Sequence, residues 1–183
     1  MASEAARTNI IEALNIAKHD RNGFSCGVEQ VDNFFRQTAN KLSKANNVRT
    51  FVMVGPEGDL IGFYAINAHA VDYMELPKKF ARSRPSHGNI PAAYISMIGV
   101  DARHQGSGFG GDLLIDCLIR LLQASNVLGI AVVILDVLDC GDDQKVSKRL
   151  TLYEGYGFRP LPSNPLRLFL PIETIRKLVS VTA

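Results

Sequence analysis

The heptapeptide Gln105-Gly106-Ser107-Gly108-Phe109-Gly110-Gly111 is the stretch of this chain best suited to chemistry. It lies between an apolar run, Ala93 to Val100, and a helical stripe that begins near Gly110. Glycine has no Cβ, so a ligand can approach closely and backbone N–H groups can turn toward one point. A helix N-terminus behind the loop adds unpaired N–H groups and about half a positive charge. Together they form an anion site of the kind that holds a phosphate or pyrophosphate. Two familiar glycine loops fit poorly. A P-loop ends in Gly-Lys-Ser/Thr, whereas this one ends Gly-Gly-Asp. A dinucleotide loop follows the first strand of its domain, and here three or four strand-like runs come earlier. The other reactive side chains form no such group. His19, His69, His87 and His104 lack metal-ligand spacing, and Cys26, Cys117 and Cys140 are too few and scattered for a zinc site or a disulfide framework. No metal is expected.

The elements that must position the loop can be read from periodicity. Thr8 to Leu14 is a short strand-like run. Val31, Phe34, Phe35, Thr38 and Leu42 recur at helical spacing, so Val28 to Leu42 reads as an amphipathic helix. Arg49 to Val54 and Leu60 to Ala70 read as strands joined through the turn Gly-Pro-Glu-Gly-Asp as a hairpin. Residues 72–91 read as irregular, which is long for a loop. Ala93 to Val100 is a strand, and Leu113, Leu114, Cys117, Leu118, Leu121 and Leu122 form a helical stripe. Ile130 to Leu138 is a continuous apolar strand of the kind buried on both faces. Residues 143–156 read as a helix stopped by Gly157, followed by a strand, Leu166 to Ile172, and a terminal helical turn, Thr174 to Val179. Alternating strands and helices predict one α/β (α+β) domain over residues 1–183.

Composition narrows the class. The chain has 183 residues, 46% of them hydrophobic and 21% charged, which fits a globular domain with a full core and excludes a disordered chain, a collagen or a coiled coil. The longest apolar run, Ile130 to Leu135, is far short of the roughly 20 residues that span a bilayer, and the first residues lack the pattern of a signal peptide. A cytoplasmic protein without a membrane partner is expected. Net charge is only +2, but residues 101–143 are acid-rich and residues 144–183 base-rich. Lys78, Lys79, Arg82 and Arg84 form a short basic run in a Pro-containing stretch. Such a split could create a positive face.

Gln105, Gly108 and Gly110 spell Gln-x-x-Gly-x-Gly, which resembles the acetyl-coenzyme A loop of the GNAT N-acetyltransferase superfamily. About forty residues on, Leu152 to Phe158 (LYEGYGF) resembles the Phe/Leu-Tyr-Glu-x-x-Gly-Phe signature that closes the GNAT fold. The order of elements agrees over nearly the whole chain. A narrower resemblance runs through Phe24 to Phe35, Arg49 to Val52, Gly62 to Val71, the 76–91 stretch with the strand after it, and the C-terminal PLRLFLPIETI. In these places the chain resembles the GNAT toxins of bacterial toxin–antitoxin pairs. It departs from them at Arg149, four residues before Tyr153, where a small Ala is usual. It departs also at Ser96-Met97-Ile98-Gly99, where Arg-Leu-Ala is usual. Both departures bear on the acceptor pocket.

The resemblance implies a mixed, mostly antiparallel central sheet flanked by helices, and transfer of an acetyl group from acetyl-CoA to the α-amino group of an aminoacyl-tRNA, which blocks translation. It implies a ribbon-helix-helix antitoxin as partner and a homodimer. Gln105, Gly106, Gly108, Gly110 and Gly111 would hold the pyrophosphate, and the backbone of Ile98 and Val100 the pantetheine. Tyr153 would be the general acid for the departing thiolate, with Tyr156 the rival hydroxyl; read from the residues alone, Tyr153 is an aromatic on the core face of its helix. RNA phosphates need Lys or Arg. Arg49, inside a toxin-like motif, and Lys78, Lys79, Arg82 and Arg84 are the candidates taken forward from a wider set with Lys41, Lys44, Lys148 and Arg149. Two other readings stay open: a GNAT enzyme for a small amine, peptide or lysine, and a non-catalytic acyl-CoA-binding or partner-binding module.

Overall fold

Gly58 stands at φ 84°, a conformation that glycine alone adopts freely, and lets Gly55 and Asp59 close a tight turn with a 2.9 Å N–H···O bond. That turn joins β2 (Arg49–Val54) to β3 (Leu60–Asp72) as the expected hairpin. The computed structural model describes residues 8–81 and 88–182. Its other strands are β1 (Ile10–Ala13), β4 (Asn89–Val100), β5 (Val132–Asp136), β6 (Arg159–Leu161) and β7 (Asn164–Pro171). They form one sheet in the order β1-β2-β3-β4-β5-β7-β6. β4 and β5 run parallel, while β1/β2, β2/β3, β5/β7 and β6/β7 run antiparallel. This is the mixed, mostly antiparallel sheet expected. The helices are α1 (Glu29–Asn33), α2 (Ala39–Lys44), α3 (Lys78–Ala81), α4 (Phe109–Ala124), α5 (Asp143–Gly155) and α6 (Ile172–Thr182).

Several details differ from the periodicity reading. The helix expected over Val28 to Leu42 runs on to Lys44, and Phe34–Thr38 between α1 and α2 is π-helical. That wider winding lays both Phe34 and Phe35 on the Phe63 ring, with centroids 6.2 and 4.1 Å away, and the Arg21 guanidinium donates to the Phe35 carbonyl at 2.7 Å. The described residues of the stretch 72–91 carry regular elements: β3 extends to Asp72, a 3₁₀ turn covers Tyr73–Glu75, α3 follows, and β4 begins at Asn89. β6 was unforeseen, because three residues containing a proline carry no strand period.

The chain forms two compact units, one of residues up to Ile66 with Met97–Asp116, the other of Asn67–Ser96 with the chain from Cys117 onward. In the first, Phe24, Phe35 and Phe63 are 1% exposed or less and pack ring against ring. Burial on this scale is worth about 1.5–3 kcal/mol per large apolar side chain. In the second, Val133 to Leu135 and Leu168 to Leu170 pair across β5 and β7 and are buried on both faces, as the unbroken apolar run of β5 requires. The parallel β4–β5 ladder runs from Ala92↔Val132 to Ile95↔Leu135 and ends there, while β4 continues from Ser96 to Val100. No helix among the described residues is long and apolar enough to cross a membrane.

Candidate active site

The glycine loop is held by a scaffold that the periodicity reading did not assign. Asp101 is 2% exposed and caps the 3₁₀ turn Ala102–His104, accepting from the Arg103 N–H at 3.0 Å. The Arg103 guanidinium grips the same carboxylate at 2.7 and 3.2 Å, and the Ser25 N–H donates to it at 3.2 Å. Burial pushes the Asp101 carboxyl up, but these donors outweigh it and hold it below the ordinary carboxylate range. The Ala102 N–H donates back to the Ser25 carbonyl at 2.8 Å. Segment 25–26 is in turn fixed by buried Asp32, which accepts from the Ser25 hydroxyl at 2.8 Å and the Cys26 N–H at 2.7 Å. The toxin-like piece Phe24 to Phe35 therefore braces the loop.

Gln105 belongs to that brace. Its amide nitrogen donates to the carbonyls of Cys26 and Val100, both at 2.9 Å. Gly106 and Gly108 follow at φ 83° and 87°. A Cβ at either would meet nothing within 4 Å, so backbone conformation rather than crowding demands glycine there. Gly110 and Gly111 open α4, and the Gly111 N–H closes on the Gly108 carbonyl at 2.9 Å. The Asp112 N–H also reaches the Gly108 carbonyl, at 3.3 Å, and the N–H groups ahead of these two lie before the first helical bond of α4. With the helix dipole they make this end attractive to an anion. Ile98 and Val100 lie on β4 beyond its last pair with β5 and are half-buried. β3 approaches β4 closely here: a Cβ on Gly62 would lie 2.8 Å from the Gly99 carbonyl. His104 lies 2.9 Å from Asp59 and is partly exposed. The Cys26 thiol is pushed up to about 12, first by burial and then by Asp32, which makes it inert.

In the second unit, Tyr153 sits on the last turn of α5 and is 7% exposed. The helix starts at Asp142, whose carboxylate accepts from the Gln144 and Lys145 N–H groups at 3.1 and 3.2 Å. It ends in a Schellman motif: the Gly157 N–H donates to the Glu154 carbonyl at 2.9 Å and the Phe158 N–H to the Tyr153 carbonyl at 3.2 Å. Gly157 supplies the left-handed residue at φ 93°. The LYEGYGF signature is thus a helix terminator that seats Tyr153. Burial pushes the Tyr153 phenol up to about 12, while the charge of Arg149 pulls it down. No hydrogen bond holds the hydroxyl among the described residues. Tyr156 lies just past the helix end and is half-buried. Arg149 donates to the Leu138 carbonyl at 3.0 Å and to the Cys140 sulfur at 3.3 Å.

A polar row in the same unit was missed. Tyr94 donates to Asp136 at 2.8 Å, and Arg167 grips Asp136 with two bonds of 2.7 and 2.8 Å. The His69 and Tyr94 rings lie 5.3 Å apart. The signal available was Asp136 at the end of an otherwise apolar strand. Of the basic candidates, Lys78 and Lys79 sit exposed on α3. Arg49 caps the end of α2, donating to the Ser43 carbonyl at 3.2 Å and to Asn46 at 2.8 Å. Arg82 and Arg84 lie outside the described residues. Among those described, no group of three or more His, Cys, Asp or Glu is placed to hold a metal ion.

No family model matches the chain. It is 59% identical over 180 residues to a protein from Sinorhizobium fredii (strain NBRC 101917 / NGR234) named probable toxin TacT, covering 98% of this chain and 99% of that one. It is 28% identical over 160 residues to a tRNA-acetylating toxin of Mycobacterium tuberculosis (strain ATCC 25618 / H37Rv), covering 87% and 90%. The solved structure of AtaT complexed with acetyl-methionyl-tRNAfMet is similar with a TM-score of 0.82 at 25% identity, covering 94% of this chain and 99% of that one. AtaTR bound with AcCoA is similar with a TM-score of 0.78 at 26% identity, covering 93% and 98%.

Proposed function

The chain belongs to the GNAT toxin family that includes TacT, and on that footing we propose that it acetylates the α-amino group of aminoacyl-tRNA with acetyl-CoA as donor. The observation that carries this is a glycine loop opening a long helix, braced by the toxin-like segment around Ser25 and Cys26. Gly106, Gly108, Gly110 and Gly111 hold the pyrophosphate, with Gln105 as the residue that shapes the loop. Ile98 and Val100, on the part of β4 that has left its ladder, offer backbone groups that require partners, and pantetheine amides supply them.

Tyr153 is the general acid. In the reaction the amine nitrogen bonds the acetyl carbon and the carbon–sulfur bond breaks. The amine loses a proton to solvent, and the phenol proton passes to the departing thiolate. A phenol pushed up to about 12 stays protonated at neutral pH. An α-amine, near 7.7–8.0 when free, is partly neutral there and needs no strong base. No metal enters the scheme. We read the two units as parts of one acetyltransferase domain acting in the cytoplasm, with Lys78, Lys79, Arg82 and Arg84 as the basic groups for RNA phosphates. Arg49 contributes charge from the end of α2. A ribbon-helix-helix antitoxin is the expected partner, and a homodimer the expected assembly.

The test is transfer from labelled acetyl-CoA to a mixed charged tRNA pool, with deacylated tRNA and Tyr153→Phe as controls. Label in charged tRNA alone, cut about a hundredfold in Tyr153→Phe, is expected. Undiminished transfer by Tyr153→Phe would move the acid to Tyr156. No label despite acetyl-CoA binding would send the acceptor to small amines or peptides.

A further inference from the structure

We propose that His69 and Tyr94 form a stacking platform for the unpaired 3′-terminal base of the acceptor RNA, with Asp136 and Arg167 as its positioning residues. The proposal rests on the aminoacyl-tRNA reading above and adds a binding subsite to it. The two rings lie side by side on β3 and β4, centroids 5.3 Å apart and tilted by 33°. His69 is exposed and Tyr94 half-exposed. A Tyr in a sheet is free to swing about its χ angles unless its hydroxyl is tethered. Here Tyr94 donates to Asp136 at 2.8 Å, and Asp136 is itself clamped by the Arg167 fork. Arg167 and Tyr94 together hold the carboxyl low against the upward push of burial, so the tether stays ionic at neutral pH. This unit thus spends a bidentate ion pair on fixing one ring at its surface.

The surroundings suit RNA. Phe80 of α3 packs edge-on against Phe169 at 5.3 Å, and Phe80 and Tyr94 both pack on the cluster of Ile90, Ala92, Ile134 and Phe169. α3 and the Tyr94 ring therefore share one face, and α3 carries Lys78 and Lys79. Arg167 neutralises Asp136, and Glu75 is the further acid that acts on Arg167. Single-stranded RNA is held in this way, by aromatic faces under the bases and basic groups along the backbone. The amino acid of a charged tRNA hangs on a 3′-terminal nucleotide that is unpaired, so its base is available to stack.

The experiment uses the whole protein and a short single-stranded RNA whose 3′-terminal base is 2-aminopurine, which loses fluorescence on stacking. Wild type is expected to quench it. His69→Ala and Tyr94→Ala are each expected to weaken binding about tenfold, whereas Tyr94→Phe, which keeps the ring, weakens it less. In transfer assays the KM for charged tRNA rises more than kcat falls. His69 is exposed, so its replacement tests the platform even if Tyr94→Ala fails to fold. Quenching absent in wild type, or unchanged in both Ala variants, overturns the proposal. Wild type that quenches but leaves charged tRNA unacetylated would overturn the function proposed above and keep the platform.

Discussion

The Phe158 N–H donates to the Tyr153 carbonyl at 3.2 Å while the two rings meet edge to face, 6.0 Å apart. One residue thus ends α5 and buttresses its phenol. Gly157, between the helix end and Phe158, makes this possible at φ 93°. Gly157→Ala is expected to cost about 1–2 kcal/mol from the left-handed backbone alone. Its Cβ would meet Leu170 only at an ordinary 3.5 Å, so crowding adds little. Chemical denaturation measures the loss. Turnover per folded molecule should fall too, because the terminator also seats Tyr153.

Gln105 predicts an ordering of variants. Its amide donates to two carbonyls. Gln105→Ala removes both bonds and should weaken acetyl-CoA binding about tenfold, the size of one or two lost hydrogen bonds. Gln105→Glu should be worse, since a carboxylate facing two carbonyls repels where the amide donated. Calorimetric titration with acetyl-CoA checks it; an equal effect of the two variants would show that Gln105 touches the donor instead of bracing its loop.

The pH dependence of kcat follows from the phenol. An acid must be protonated to act, and burial pushes Tyr153 up to about 12. Activity should rise through about pH 8 as the acceptor amine loses its proton. It should then stay level to pH 10, with no falling limb. An amide-linked aminoacyl analogue avoids ester hydrolysis during the measurement. A fall near pH 9 would point to an acid less buried than Tyr153.

Gly62 is a test of close approach. A Cβ there would lie 2.7 Å from the Leu113 side chain and 2.8 Å from the Gly99 carbonyl. The leucine end can move, but the carbonyl belongs to β4. Gly62→Ala should therefore destabilise by about 1–3 kcal/mol, as overpacking does, and shift the strand that carries Ile98 and Val100. Thermal unfolding with and without acetyl-CoA measures both effects.

The glycine loop, α4, β5 and the β2–β3 hairpin were legible because their signals are local: period, apolar continuity, glycine spacing. What escaped depends on which distant atoms meet. The Gln-x-x-Gly-x-Gly spacing holds nothing of the bonds from the Gln105 amide to the Cys26 and Val100 carbonyls. The motif around Arg49 holds nothing of its bond to the end of α2. Tyr94, Asp136 and Arg167 come from three strands, and only the register Asp136↔Arg167 joins two of them. The π-helical run left no period of its own, and β6 is too short and proline-bearing to show one. Thr174 to Val179 was expected as a helical turn, and α6 spans Ile172–Thr182.

The π-helical run at Phe34–Thr38 also acts as a reservoir for one residue. A single π turn is an α-helix that has taken up one extra residue by winding wider, so removing one residue there would restore ordinary winding and leave everything after it in phase. Ala39 would stay in the core, and the Ser43 carbonyl would stay beside the Arg49 guanidinium. What would change is the wide turn itself, which lays Phe34 and Phe35 on the Phe63 ring. A lineage can therefore gain or lose a residue at this point without replacements along α2, as long as the rings on Phe63 are kept.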